Sequence, residues 1–133
     1  MNTLDQLVYC SRSRLAPADE AAAIADIVHA AAFLNARNGV TGALVLQDGM
    51  FVQVLEGAPT ALDILMLHLH FDERHEEIEV MARGRIERRA FPAWGMTAPT
   101  RRQCNALGRL IAERSDDLAA WRGAVSALLA PAA

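Results

Sequence analysis

Residues 40–57 read VTGALVLQDGMFVQVLEG, two apolar runs joined by an Asp-Gly pair. Such a pair between apolar runs is a strong short-range signal for a tight turn linking two antiparallel strands. The stretch therefore predicts a hairpin, with strands at 40–46 and 50–55 around a turn at 47–49. Both faces of the second strand are apolar apart from Gln53, which is typical of a central strand.

The segment before the hairpin predicts one strand and one helix. A short apolar run at 4–10 is typical of a buried strand. Apolar residues then recur at helical spacing from Ile24 through Ile27, Val28 and Ala31 to Leu34. Pro17 and the acidic residues after it are helix-start signals, and Gly39 ends the pattern.

The segment after the hairpin predicts a second helix followed by further strands. Thr60 and Asp63 resemble a capping box that opens a second helix ending near Phe71. Alternating apolar and charged residues at 78–82 predict a half-exposed strand, and residues 86–96 suggest further extended structure. The succession βαββαββ predicts an α+β, ferredoxin-like sandwich in which one mixed sheet carries two helices on one face.

Two amphipathic helices are predicted in the tail from Gln103 onward, with Ser115 as the cap of the second one. One interpretation is that they cover the sheet face left open by the first two helices. The other is that they bind a partner. We favour the covering role for at least one of them.

Composition excludes several classes of protein. The chain has 133 residues, which is the size of one domain, and it is 53% hydrophobic and 22% charged. All 13 basic residues are arginine, so chemistry that needs a lysine amine is excluded. A net charge of −3 argues against non-specific nucleic-acid binding. Among only seven aromatic residues, Tyr9 is the one tyrosine.

No targeting or membrane segment is expected. The first residues lack the basic and apolar regions of a secretory signal, and no apolar run is long enough for a spanning helix. Two cysteines, Cys10 and Cys104, do not make a disulfide framework. We therefore expect a soluble cytoplasmic protein with no membrane association.

Three polar residues interrupt the apolar patterns. Asn35 falls on the apolar stripe of the first helix, where it either caps its own helix end or points into the core. Gln53 lies in the central strand, where it either bonds to neighbouring backbone or offers its amide to a ligand. Tyr9 shares a strand face with Leu7 and is either an ordinary core residue or a ligand contact. Their convergence would make a ligand site.

Other polar clusters carry weaker signals. His68, Asp72 and His75 have a spacing that could place metal ligands together, but the pattern is not HExxH and no cysteine is near, so we predict no metal site. We find no phosphate-binding loop or catalytic carboxylate pair. Six arginines have acidic residues between them and are interpreted as solvated surface charges, not as a nucleic-acid patch: Arg37, Arg74, Arg83, Arg85, Arg88 and Arg89.

Five blocks of the sequence, spread in order over residues 4–98, resemble the BLUF family of blue-light sensors that use flavin. They read VYCSR at 8–12, NARNGVTG at 35–42, FVQVLEG at 51–57, DERH at 72–75 and RAFPAWGM at 89–96. The resemblance implies a ferredoxin-like fold, a flavin-binding domain at 1–98 and a helical extension at 99–133. It also implies a non-covalently held flavin, FAD most often, with FMN as the alternative.

The resemblance also assigns roles to single residues. Tyr9 corresponds to the donor of an electron and a proton, and Gln53 to the amide that bridges it to the flavin. Asn35 corresponds to a hydrogen-bond partner of the ring's carbonyl edge. The remaining positions are the ring-lining Ile27 and Leu69, the DxRH residues Asp72 and His75, and the signal-relay residues Trp94 and Met96.

Two positions depart from the family pattern. Leu34 stands where many members have Asn or His, and His68 stands where an arginine is common.

The resemblance as a whole implies a non-enzymatic photoreceptor that signals through a partner protein or a change of homo-oligomer. A light-insensitive interaction module on the same fold is the alternative, and a flavin oxidoreductase ranks last because no candidate acid is evident.

Overall fold

A computed structural model of the chain describes residues 3–92, 95–96 and 105–129. Five strands form one sheet in the order β4-β1-β3-β2-β5, with β2 and β5 parallel and the other neighbours antiparallel. The strands are β1 Leu4–Ser13, β2 Thr41–Gln47, β3 Met50–Gly57, β4 His75–Ile86 and β5 Gly95–Met96. The helices are α1 Glu20–Arg37, α2 Pro59–His70, α3 Asn105–Glu113 and α4 Leu118–Leu129. The predicted α+β sandwich and its mixed sheet are confirmed.

The β2–β3 hairpin forms as its turn residues predict. Asp48 and Gly49 have φ angles of 51° and 77°, the left-handed pair that a two-residue hairpin turn requires. Gly42 is required for a different reason, since a Cβ at this position would lie 2.0 Å from the Val54 backbone oxygen. The hairpin places β3 in the centre of the sheet, as its apolar faces predict.

The two faces of the sheet carry separate layers of helices. On one face, Leu7 and Leu55 pack beneath α2, and Leu44 packs beneath α1. On the other face, the buried Val8 and Val54 belong to a core shared with α3 and α4. The C-terminal helices therefore cover the face that α1 and α2 leave open, as the covering interpretation predicts.

Helix ends were predicted less well than helix positions. The Thr60–Asp63 capping box is wrong: α2 has Ala58 at its N-cap with no side-chain bond, and Asp63 pairs with Arg83 on β4 instead. The cap of α4 is also not Ser115 itself. Asp117 Oδ1 accepts the Ala120 N–H there at 3.1 Å, while Ser115 Oγ accepts from Asp117 N.

Strand β4 is longer than its sequence pattern suggests. It runs along the whole edge of the sheet, and its pairing with β1 shifts register between Val8 and Tyr9 and again between Cys10 and Arg12. Bulges of this kind break the period-two alternation from which a strand is identified. The first register shift lies beside Tyr9, which also lines the cavity described below.

Candidate functional site

A cavity of about 500 Å³ lies between α1, α2 and the centre of the sheet. Its floor comes from β1 and β3, its walls from the two helices, and one end from the residues that follow α2. All seven predicted cofactor-binding residues line it: Tyr9, Ile27, Asn35, Gln53, Leu69, Asp72 and His75. Its size is typical of small-molecule sites, and the lining is mostly apolar with a few amide groups.

Tyr9 and Gln53 form a buried pair in the cavity floor. They are direct register partners on β1 and β3, so both side chains leave the sheet on the same face. The Tyr9 hydroxyl donates a hydrogen bond to Gln53 Oε1, and both residues are almost fully buried. Gln53 thus bonds to a phenol in a central strand, not to backbone at a sheet edge.

The surroundings of Tyr9 keep its hydroxyl protonated. Burial raises the pKa of Tyr9 well above its ordinary value, and the negative charge of Asp72 adds to the rise. The phenol is therefore a hydrogen-bond donor throughout the ordinary pH range. Because the Tyr9 hydroxyl already donates to Gln53 Oε1, the Nε2–H donors of this amide remain for an acceptor atom of a ligand.

Asn35 lies in the last turn of α1, and its side chain is buried against the cavity. Its backbone oxygen accepts from Val40 N at 2.8 Å and from Asn38 N at 3.0 Å, which closes the helix end. The side-chain cap comes from Asn38, whose Nδ2 donates to Leu34 O at 3.0 Å. The amide of Asn35 is therefore placed at the cavity wall and not at the helix cap.

His75 braces Tyr9 from the end of the cavity. Its Nε2–H donates to Leu69 O at 2.8 Å, because a carbonyl oxygen can only accept. Its Nδ1 bonds to Ser11 Oγ at 2.7 Å. The rings of Tyr9 and Phe51 each meet the imidazole edge-on with centroids 6.1 Å apart. Both ring nitrogens are engaged, so His75 offers the cavity an aromatic wall.

Asp72 and Arg74 form a tight pair beside this histidine. Both Asp72 oxygens accept from the Arg74 guanidinium, and Oδ1 also accepts Arg74 N at 3.0 Å. The hydrogen-bonded Arg74 lowers the pKa of Asp72. The described part of the chain contains no group of three or more His, Cys, Asp or Glu side chains arranged to hold a metal ion.

The family model for BLUF, described as sensors of blue-light using FAD, matches residues 4–97. The chain belongs to the BLUF family. That family binds flavin and serves in blue-light sensing. The cavity fits such a group, because its mostly apolar lining suits a planar ring, and the amides of Asn35 and Gln53 suit the polar edge of that ring.

Relatives of this BLUF domain are found among proteins of very different length. The photoactivated adenylate cyclase subunit alpha of Euglena gracilis is 36% identical over 93 residues, which are 70% of this chain and 9% of that protein. The subunit beta of Euglena longa is 37% identical over 75 residues, 56% of this chain and again 9% of that protein. The chain thus spans about a tenth of the length of these curated relatives.

Solved BLUF structures match the fold over nearly the whole chain. The dark-state structure of BlrB, a BLUF protein, has a TM-score of 0.78 and 35% identity and covers 96% of this chain and 98% of its own. BlsA in its photo-activated state has a TM-score of 0.76 over 97% of this chain and 96% of its own, and at 23% identity it supports the fold alone.

Not every predicted BLUF position can be placed. Trp94 lies outside the described residues. Met96 is described by its backbone only, in β5, where it pairs with Leu44 of β2. Leu34 and His68, the two departures from the family pattern, both line the cavity, and both side chains are largely exposed. Leu34 continues the predicted apolar stripe of α1, but 56% of its surface is accessible.

Several polar residues around the site were not selected from the sequence. Ser11 bonds to His75, and Gln6 bonds to Glu56 on the far face of the sheet. Gln6 and Glu56 continue the inward-facing alternation of Val8 and Val54, so the period-two pattern would have identified them. Three of the arginines that were interpreted as solvated surface charges also have specific hydrogen-bond partners, namely Arg74, Arg83 and Arg89.

The described residues include no helix long and apolar enough to span a membrane.

Proposed function

We propose that this chain is a blue-light photoreceptor that holds FAD non-covalently in the α1–α2 cavity. One observation carries the proposal: the only phenol of the chain, Tyr9, donates to the Gln53 amide inside a cavity of flavin size. FMN is the alternative cofactor, because both flavins share the ring that this cavity would receive.

Each wall of the cavity has a proposed role in holding the ring. Ile27 on α1 and Leu69 on α2 line opposite walls and would pack on its two faces. The amides of Asn35 and Gln53 would bond to its polar edge. The DxRH residues stand at the far end, where Asp72 neutralises Arg74 and His75 ties β1 to α2.

The proposed reaction begins at Tyr9. When bound, the flavin supplies the blue-light absorption and, once excited, an acceptor for one electron. Tyr9 gives that electron and then its phenolic proton, which leaves along the existing hydrogen bond toward Gln53. Both return to Tyr9 in the back reaction, so no net chemistry occurs. Gln53 is left with its amide rotated or tautomerised, which exchanges donor for acceptor.

The rearranged amide would change the energetics of its neighbours. Gln53 is 4% exposed, and a hydrogen bond in such surroundings counts for more than one in water. Its altered bonds can therefore bias an adjacent two-state element, for which we propose the segment with Trp94 and Met96. The sheet edge at β5 would carry the change outward.

The output is proposed to lie outside this domain. We propose a sensor role without an enzymatic reaction, with the signal passed to a downstream protein partner or through a change in a homo-oligomer. Residues 1–98 would form the flavin-binding unit, and residues 99–133 the extension that packs on the sheet and meets partners. Size-exclusion chromatography in darkness and under blue light tests the change of oligomer.

An absorption spectrum before and after blue light tests the photoreceptor. The purified chain should be yellow and show a small, reversible red shift that Gln53→Leu abolishes. Gln47→Leu is the matched control, because this glutamine is also buried in the sheet but lies near Gly108 of α3, on the opposite face. A colourless protein would favour the light-insensitive module, and a shift that survives Gln53→Leu would refute the mechanism.

A further inference from the structure

A second buried polar cluster lies on the sheet face opposite to the cavity, around Glu56 at the end of β3. Glu56 is fully buried, and its carboxylate accepts three hydrogen bonds. Oε2 accepts from Gln6 Nε2 at 2.7 Å and from Ala90 N at 2.9 Å, and Oε1 accepts from Phe91 N at 2.7 Å. A buried carboxylate needs donors of this kind, because burial removes its water.

The orientation of the Gln6 amide shows that the Glu56 carboxylate requires a hydrogen-bond donor from this residue. The Gln6 side chain is fully buried, and its Oε1 has no hydrogen-bond partner among the described residues. An unpartnered buried oxygen destabilises a fold. The Gln6 amide is therefore oriented so that Nε2 donates to the Glu56 carboxylate, although this orientation leaves Gln6 Oε1 without a partner among the described residues.

Arg89 also anchors residues 89–91, through hydrogen bonds made by its guanidinium. Its Nη1 donates to Thr41 Oγ1 at 2.7 Å and to Glu56 O at 3.0 Å, and its Nη2 donates to Gly39 O at 2.7 Å. The ring of Phe91, 6% exposed, packs into the core shared with α3 and α4. Residues 89–91 are thus bonded to the end of β3, the start of β2 and the turn after α1.

This anchoring stands directly before β5. Strand β5 has two residues, which pair with Ala43 and Leu44 of β2, and so short an edge strand is marginal without support. Three residues separate Phe91 from Gly95, whereas eight separate β4 from β5. The free-energy cost of closing a loop of n residues rises as (3/2)RT ln n, so the probability of closure falls with the 3/2 power of n. Loss of the anchor would therefore disfavour β5 pairing by about fourfold.

We propose that Glu56 is a positioning residue that seats β5 on the edge of the sheet by fixing residues 89–91. Its connection with light rests on the proposed function, in which Met96 of β5 relays the signal. Gln53 precedes Glu56 by three residues in the same strand, roughly 10 Å at the rise of a β-strand. A change at Gln53 would therefore reach β5 through the end of β3.

Hydrogen exchange of the full chain in darkness tests the seating, with Glu56→Gln as the variant. A glutamine keeps the shape but replaces one acceptor oxygen by an N–H2 group, so either Ala90 or Phe91 loses its acceptor. We expect that amide to exchange about tenfold faster and the Gly95 and Met96 amides about fourfold faster. Central amides of β1 and β3 should not change.

Glu79→Gln is the matched control, because it makes the same chemical change in β4, where the carboxylate is half-exposed and paired with Arg114. Unchanged exchange at residues 90–96 in Glu56→Gln would overturn the proposal. So would acceleration spread evenly over the sheet, which is what general destabilisation predicts. If Glu56→Gln does not fold, exchange at the same amides is measured in Arg89→Gln, and Arg88→Gln, at the exposed neighbouring residue, is the control.

The lifetime of the light-shifted spectrum tests the connection with light. Glu56→Gln should keep the red shift, since Tyr9 and Gln53 face the other side of the sheet, but change its dark lifetime by up to about fourfold. Faster β5 exchange with an unchanged lifetime would overturn this connection. A native chain that shows no shift refutes the proposed function instead, while the exchange experiment in darkness still decides the seating of β5.

Discussion

Replacing Tyr9 by phenylalanine tests the proposed photoreaction directly. Tyr9 is the only tyrosine of the chain, so Tyr9→Phe removes every phenol with the loss of one oxygen atom. The ring still packs against His75 and the cavity keeps its walls. We expect the variant to retain the flavin and lose the red shift.

The cost to stability follows from the one hydrogen bond that is lost. Gln53 Oε1 is buried and would lose its donor, which costs about 1–3 kcal/mol. Domains of this size are stable by roughly 5–15 kcal/mol, so the variant remains folded. The same loss lowers Tm by roughly 3–15 °C. Loss of the shift therefore cannot be attributed to unfolding at room temperature.

Trp121→Phe is the control for this experiment. Trp121 is a rival electron donor and is fully buried, but it lies in the core on the opposite face of the sheet. Its Nε1–H donates to Ser115 O at 2.7 Å, so the substitution also removes one buried hydrogen bond. We expect lower stability and an intact shift.

Light-minus-dark difference spectra of both variants at matched flavin occupancy make the comparison. A shift that persists in Tyr9→Phe would refute the reasoning, because the donor would then have to be a tryptophan. Loss of the shift in both variants would mean that the spectrum responds to general destabilisation, which also contradicts the assignment of Tyr9.

Three further outcomes follow from the structure. Arg74 lowers the pKa of Asp72, so the pair stabilises the fold above the ordinary aspartate pKa of about 3.9, and this stabilisation is lost as pH falls through the lower folded value. Asp72→Asn should therefore flatten the acid side of a curve of Tm against pH. Gly42→Ala should abolish soluble folded protein, because its Cβ would lie 2.0 Å from a backbone oxygen. Gly123→Ala, which has open space around it in α4, should instead raise the free energy of unfolding by up to about 1 kcal/mol, and urea titration compares the two variants. The raised pKa of Tyr9 means that folding loses stability as pH rises above about 10, so phenolate absorbance should appear together with unfolding; phenolate that forms in the folded chain would contradict its burial.

The order of elements was predictable because its signals are local. An Asp-Gly pair, an apolar run or a helical stripe needs only neighbouring residues, and the hairpin and both helix layers formed where these signals predict. Strand β4 was underestimated because its bulges interrupt the alternation. Leu34 follows the apolar stripe of α1 and is nevertheless exposed, because periodicity records only which side of a helix is apolar, and that side also borders an open cavity.

The site was predictable to the extent that polar residues interrupt apolar patterns. Tyr9, Asn35 and Gln53 were selected on that basis, and the structure brings all three to one cavity. The contacts that support these residues were harder to predict. The bond between Ser11 and His75, whose ring contacts Tyr9, joins residues 64 positions apart. No local pattern pairs such residues, since only the sheet register brings β1 beside β4.

The two faces of β3 separate the light reaction from its proposed output. Gln53 points to the cavity and Glu56 to the opposite face, as alternation along a strand requires. The cavity walls and the anchor of β5 therefore share a backbone but no side chain. Substitutions should then fall into two classes: those on the cavity face change the spectral shift, and those around Glu56 change its lifetime. A variant at Glu56 that abolished the shift itself would contradict this division between the two faces.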